Sequence, residues 1–153
     1  MKLIIKTDCS GIDWQTIADS LKKVGMAYHD PESHKRAFEA SHTTVFIYED
    51  SQLIGFGRAI SDGEYQGAIY DIVVLPEVQG KGIGKIIMQT ILDRLPDCNL
   101  ILYANPGMEG FYKGLGFGLM KTGMAVFTTP QAMEKFTDME FFKKSGFSKK
   151  PDF

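Results

Sequence analysis

Tyr70-Asp71-Ile72-Val73-Val74-Leu75-Pro76-Glu77-Val78-Gln79-Gly80-Lys81-Gly82-Ile83-Gly84-Lys85 is the stretch whose reading decides the fold. Its first half is an apolar run that Pro76 ends. Three alternating glycines follow, and Ile83–Leu95 then reads as a helix with Ile86, Ile87, Thr90, Ile91 and Leu95 on one side. Glycine lets backbone N–H groups approach a ligand without interference from a Cβ. A helix start adds unsatisfied N–H groups and a partial positive charge. Strand, glycine loop and helix in that order make a cradle for phosphate or pyrophosphate. A Walker loop is excluded, because Ile86 follows Gly84-Lys85 and Gln79 stands five residues before Gly84. A dinucleotide fold needs an acid at the end of the next strand, and Tyr103-Ala104-Asn105 supplies none.

Downstream, Asn99–Ala104 is a nearly continuous apolar run, as a buried strand is. Strand, helix and strand in succession predict a right-handed crossover and a parallel pair. Gly107–Leu115 reads as a short helix ended by Gly116, Leu119–Phe127 as a last strand, and Thr129–Phe136 as a helix. Upstream, Leu3–Lys6 is a strand candidate. Ile12–Val24 is helical, with Trp14, Ile17, Ala18, Leu21 and Val24 at helical spacing and Gly25 to close it. Asp30-Pro31 starts a second helix that runs to about Ser41. Thr43–Glu49, Leu53–Ser61 and Ala68–Leu75 are strands joined by Asp50-Ser51 and Asp62-Gly63, hence an antiparallel series. The expected fold is α/β: a mixed, mostly antiparallel sheet with helices on both faces. We expect one domain over 1–153, with a core to about 128 and a C-terminal extension from 129 to 153.

The chain has 153 residues, 44% apolar and 24% charged, an ordinary globular balance. Formal net charge is −2, and no basic run exceeds two residues, so no nucleic-acid partner is expected. No apolar run has the length of a membrane span, and Met1–Lys6 is too short an apolar start for a signal peptide. Cys9 and Cys98 lie far apart, as in a reduced cytoplasmic chain. His29, His34 and His42 fit no metal spacing, so no metal is expected. All three histidines read as loop or helix surface. The tail Phe141–Phe153, with four Phe and four Lys, reads as a docked segment or as the contact of a homodimer.

Two blocks carry a family resemblance. Gln79–Gly84, Gln-Gly-Lys-Gly-Ile-Gly, resembles the acyl-CoA signature Gln/Arg-x-x-Gly-x-Gly/Ala of the GCN5-related N-acetyltransferase (GNAT) superfamily. Leu102–Phe117 resembles that family's Asn followed by Phe-Tyr-x-x-x-Gly-Phe, held here in Asn105, Phe111, Tyr112, Gly116 and Phe117. The resemblance covers about residues 1–128 and implies splayed parallel central strands, between which the pantetheine arm of acetyl-CoA lies. Ile72, Val73 and Val74 would bind that arm through their backbone, one N–H polarising the thioester carbonyl. Gln79, Gly80, Lys81, Gly82, Ile83, Gly84 and Lys85 would wrap the pyrophosphate, with Lys81 and Lys85 adding charge or merely solvated. Asn105 would contact the cofactor or an ordered water, or else cap the following helix.

Tyr112 matches the tyrosine that protonates the leaving thiolate. A phenol near pKa 10 is well matched to an alkyl thiol. The amine acceptor must lose a proton, and Asp71 is the local candidate base. Its rival role is an ion pair with Arg58, expected if Ser61 pairs with Ala68. Glu64, His29 and a water chain are further candidates. Relatives that acetylate ribosomal-protein N-termini carry a glutamate where this chain has Leu100. The implied activity is acetyl transfer from acetyl-CoA to a small-molecule amine by direct attack in a ternary complex. A non-catalytic acyl-CoA sensor and a protein acetyltransferase are the alternatives. Acids near the acceptor rim, Asp30, Glu32, Asp62 and Glu64, would suit a cationic amine.

Overall fold

A computed structural model describes residues 2–141. They belong to two compact units divided between Leu102 and Tyr103. The first holds β1 (Leu3–Lys6), α1 (Trp14–Lys23), α2 (Pro31–Glu39), β2 (Thr43–Glu49), β3 (Gln52–Ser61), β4 (Gln66–Val74), α3 (Ile83–Arg94) and β5 (Asn99–Ile101). The five strands form one sheet in the order β1-β2-β3-β4-β5. Every pairing is antiparallel except β4 with β5. The expected parallel pair, joined through α3, is therefore present.

Local chemistry explains the elements. The Asp13 carboxylate accepts the Gln15 and Thr16 N–H groups at the start of α1. At its end, Gly25 adopts φ +76°. The Gly25 and Met26 N–H groups then bond the Lys22 and Leu21 carbonyls, a Schellman closure. Asp30 caps α2 by accepting the Ser33 N–H, with Pro31 in its first turn. Asp50 and Ser51, at φ +48° and +67°, form the two-residue turn between β2 and β3. Positive φ at both positions matches the twist of a tight hairpin.

The sheet is covered on both faces. On one, Ile17 and Leu21 of α1 and Phe38 of α2 join Phe46, Phe56 and Val73 in a buried cluster. Phe38 and Phe46 lie 5.6 Å apart between ring centroids, and Trp14 closes the group 5.6 Å from Phe38. Such aromatic pairs contribute about 0.5–1.5 kcal/mol each beyond their buried area. On the other face, glycines in β3 admit α3. A Cβ at Gly55 would sit 3.0 Å from Ile87 Cδ1 and one at Gly57 2.8 Å from Ile87 Cγ2. A glycine within a strand marks such a close approach.

The second unit holds α4 (Glu109–Gly114) and α5 (Pro130–Phe136), the latter capped by the Thr129 hydroxyl. Within it Tyr103, Phe127 and Phe136 form an aromatic group with centroids 4.9–5.5 Å apart.

Three expectations need correcting. Residues 119–127 form no strand. Strand propensity is realised only against cross-strand neighbours. Here Leu119, Met124 and Val126 are 81–90% exposed and pair with no other described strand. The run from Asn99 is strand only as far as Ile101. His34 is not a surface residue but 4% exposed on the inner face of α2, one turn before Phe38. The expected role of the tail from Phe142 onward lies outside the described residues.

Candidate active site

β4 changes character at Asp71. Before it, Gln66, Gly67 and Ala68 pair with β5, and Gly67 to Tyr70 pair residue for residue with β3. The register with β3 then slips: Arg58 faces Tyr70, whereas Phe56 faces Val73. Two residues, Asp71 and Ile72, therefore stand opposite Gly57. This is a β-bulge, the device that re-aims a strand and its side chains. Asp71 carries the bulge at φ +56°, a left-handed conformation that costs most residues energy but that Asp tolerates better than most. Ile72 folds over Gly57, its Cδ1 only 2.5 Å from where a Cβ would be.

The parallel ladder ends at Ala68 and Ile101. Past the bulge, Ile72–Val74 keep β3 on one side, and no described strand pairs with them on the other. Val73 is buried, and Ile72 and Val74 are half-buried. These three residues present an extended backbone edge able to accept a ligand as a further strand would be accepted.

The edge runs directly into the glycine loop. Pro76–Val78 is one 3₁₀ turn, in which the Val78 N–H donates to the Leu75 carbonyl. Glu77 in that turn is ion-paired with Lys23 of α1. The Gln79 side-chain amide donates to the Val74 carbonyl at 3.0 Å, tying the loop to the end of β4. Gly80 and Gly82 adopt φ +80° and +83°, and a Cβ on either would project into open space. Gly82 is the N-cap of α3 and offers no capping side chain. The first helical bond runs from the Ile86 N–H to the Gly82 carbonyl. The six N–H groups from Gly80 to Lys85 consequently have no acceptor among the described residues. They form an anion cradle at the positive end of a twelve-residue helix. Lys81 and Lys85 are exposed and enter no ion pair among the described residues.

Asp71 itself is engaged. Its Oδ2 accepts the Arg58 Nε–H at 2.8 Å, with both side chains only 16–21% exposed. The register is one residue off the expected one, since Ser61 faces Gly67 and Ile60 faces Ala68. The bulge absorbs that offset and still brings the pair together. Arg58 is further fixed by Ser41 Oγ at 3.2 Å and by the rings of Phe38 and Tyr70, each 5.5 Å from the guanidinium. His34 lies within electrostatic reach of this group. Its Nε2 accepts the His29 N–H at 2.8 Å, which requires the neutral ring. Burial depresses its pKa, with the Asp71 charge opposing.

Asn105 and Tyr112 belong to the second unit. Asn105 is exposed, and its carbonyl accepts the Met108 N–H. The N-cap of α4 is Met108, without a side-chain cap, so Asn105 does not cap the helix. Tyr112 stands on α4 between Phe111 and Phe117, with centroids at 5.0 and 6.1 Å. Its backbone carbonyl accepts the Phe117 N–H, and the Gly116 N–H donates to the Lys113 carbonyl. Gly116 at φ +97° makes this closure possible. Burial raises the phenol above its ordinary pKa, so it carries its proton at neutral pH.

Of the four acids expected near the acceptor, two are engaged. The Asp30 carboxylate is spent on Ser33, and Asp62 Oδ1 accepts the Glu64, Tyr65 and Gln66 N–H groups. Glu32 and Glu64 remain exposed. Sequence reasoning missed His34 and Gly57. The spacing of His34 to Phe38 along a helix was a signal for the first, and the Gly-x-Gly of Gly55–Gly57 inside a strand for the second.

Comparison with known proteins agrees with this geometry. Residues 13–117 match the model of the acetyltransferase (GNAT) family. The chain is 30% identical to serotonin N-acetyltransferase 2, chloroplastic, of Oryza sativa subsp. japonica, over 85% of this chain and 70% of that protein. It is 38% identical to the uncharacterized N-acetyltransferase ycf52 of Gracilaria tenuistipitata var. liui, over 71% of this chain and 57% of that one. The solved GNAT-family acetyltransferase of Streptococcus pneumoniae has the same fold, with a TM-score of 0.72 over 84% of this chain and 99% of that chain, at 20% identity. The chain belongs to the GNAT acetyltransferase family. Among the described residues, no helix is long and apolar enough to cross a membrane, and no cluster of side chains has the makings of a metal site.

Proposed function

We propose that the protein transfers the acetyl group of acetyl-CoA to the amine of a small molecule, by direct attack in a ternary complex. The observation that carries this reading is the run of six unpartnered N–H groups, Gly80 to Lys85, continuous with the open edge of Ile72–Val74. A diphosphate with an amide-bearing arm is the ligand that such a cradle and edge fit. Acetyl-CoA supplies an activated acetyl thioester. Gln79, Gly80, Lys81, Gly82, Ile83, Gly84 and Lys85 hold the pyrophosphate. Ile72, Val73 and Val74 bond the pantetheine amides, and one of their N–H groups polarises the thioester carbonyl. Asn105 serves cofactor binding in this reading. Tyr112 gives its phenol proton to the departing sulfur, a role its protonated state suits.

A small amine is favoured over a protein terminus by two features. The rice relative is named for serotonin, a small amine. Leu100 stands where relatives acting on ribosomal-protein N-termini carry a glutamate. Cys9 and Cys98 are free thiols, which suits the reducing cytoplasm we propose as the compartment. The rice relative is chloroplastic by name, and fractionation distinguishes the two locations. The test of function is thiol release from acetyl-CoA across a panel of small amines. Amine-dependent release supports the reading. Tight CoA binding with no release for any amine or peptide identifies a sensor instead.

A further inference from the structure

We infer that Arg58 is a positioning residue for acetyl-CoA, acting through Asp71 to hold the β4 bulge that turns out the Ile72–Val74 edge. This rests on the proposed function and assigns a part to a residue that touches none of the reacting atoms. Three observations converge on it. The bulge sits at Asp71, a non-glycine residue at φ +56°, so the backbone there has a strained conformation that something must hold. The side chain of that residue is bound by Arg58 Nε at 2.8 Å. Arg58 in turn is anchored on α2 and the turn after it, through the Phe38 ring and Ser41 Oγ, rather than on β4 alone.

The pair therefore links the one irregular residue of β4 to a rigid part of the core. Without the link, β4 can relax toward regular pairing with β3. A shift of one residue moves every following side chain to the opposite face. The backbone N–H and C=O groups of Ile72–Val74 would then rotate away from the ligand edge. Gly57 supports the same arrangement from the other face, because only a residue without Cβ leaves room for Ile72 over it. An acid that is pinned in this way is poorly free to shuttle protons. The geometry thus favours the positioning role of Asp71 over that of general base.

The experiment measures CoA affinity by calorimetry, then kcat and KM for acetyl-CoA, on the parent and on Arg58→Met, Arg58→Lys, Asp71→Gly and Asp71→Asn. Glycine accepts φ +56° freely, so Asp71→Gly removes the link without adding strain. Expected is a rise of about tenfold or more in the CoA Kd and in KM for Arg58→Met, with kcat at saturation within a few-fold, and a smaller rise in Kd for Asp71→Gly, whose backbone holds φ +56° without the link. Arg58→Lys should recover part of the loss, since it restores the charge without the guanidinium geometry. If Arg58→Met does not fold, Arg58→Lys decides, because it keeps the charge but loses the guanidinium bonds to Asp71 and Ser41, and its CoA Kd should still rise. Parental CoA affinity in folded Arg58→Met, or in Arg58→Lys where Arg58→Met does not fold, overturns the inference. So does a fall in kcat with KM unchanged and an altered acidic limb for Asp71→Asn, which makes Asp71 the base. A parent that binds no CoA at all overturns the proposed function instead.

Discussion

Gly82 and Gly116 adopt nearly the same backbone, φ +83° and +97°, and do opposite things. Gly82 stands at the head of α3 and leaves that helix open, its first N–H groups unpartnered. Gly116 stands just past α4 and closes it, so that the carbonyls of Tyr112 and Lys113 are satisfied. The first helix is twelve residues long with Ile83, Ile87, Met88 and Ile91 buried; the second has six residues, none of them buried. A glycine at the start of a well-anchored helix thus leaves its first N–H groups open to a ligand. One at the end of a short helix closes the backbone, here of the helix that carries Tyr112. The proposed function gives binding to the first region and proton delivery to the second, and substitutions can test that division.

The largest effect is expected at Tyr112. Tyr112→Phe keeps the ring between Phe111 and Phe117 and removes the phenol proton. Turnover should fall about 10²–10⁴-fold, with KM for acetyl-CoA and the melting temperature near parental. A parental rate with the true acceptor would remove Tyr112 from the chemistry. Gly82→Val should do the reverse. A β-branched residue at φ +83° is strained, and its Cβ projects where the anion would sit. The CoA Kd should rise by more than about tenfold, a loss of about 1.4 kcal/mol. The thermal shift caused by acetyl-CoA should shrink accordingly. An undiminished shift would place the pyrophosphate elsewhere.

Gly116→Ala should cost about 1 kcal/mol of stability, because alanine does not favour the left-handed closure. Denaturant unfolding measures that loss, and CoA affinity should not follow it. If affinity falls as well, the two glycines are not independent.

The smallest effect concerns pH. His34 has its pKa depressed by burial, so the unfolded chain takes up a proton at a higher pH than the native one. Stability from this source is intact above about pH 6.5 and declines as pH falls below it, by no more than about 1.4 kcal/mol per pH unit for one proton. His34→Gln should flatten the melting temperature between pH 7 and 5.5. Asp30 and Asp62 are held below the usual carboxylate range by hydrogen bonds, led by Ser33 for the first and the Gln66 N–H for the second. Their contribution is present above about pH 4 and is lost only below it, which separates the two windows. A parental slope in His34→Gln would assign the dependence to other groups.

The sequence determined what nearest neighbours along the chain decide. Asp30-Pro31, Asp50-Ser51, Gly25, Gly82 and Gly116 act through their own dihedrals or through hydrogen bonds within a few residues, so helix starts, turns and the open head of α3 were all legible. The hydrophobic periods of α1, α3 and the central strands were legible for the same reason. What pairs across the sheet was not. Residues 119–127 have the composition of a strand but no described partner, and a ladder needs two members. The bulge at Asp71 depends on one extra residue in β4 relative to β3, a count that neither strand carries alone. The Arg58–Asp71 pair could be named beforehand as a rival role, yet its anchoring by Phe38, Ser41 and Tyr70 comes from α2, the turn after it and β4 meeting on one face. His34 is buried because α2 packs its inner face on that core. These contacts join residues far apart in the chain, and only the folded chain brings them into register.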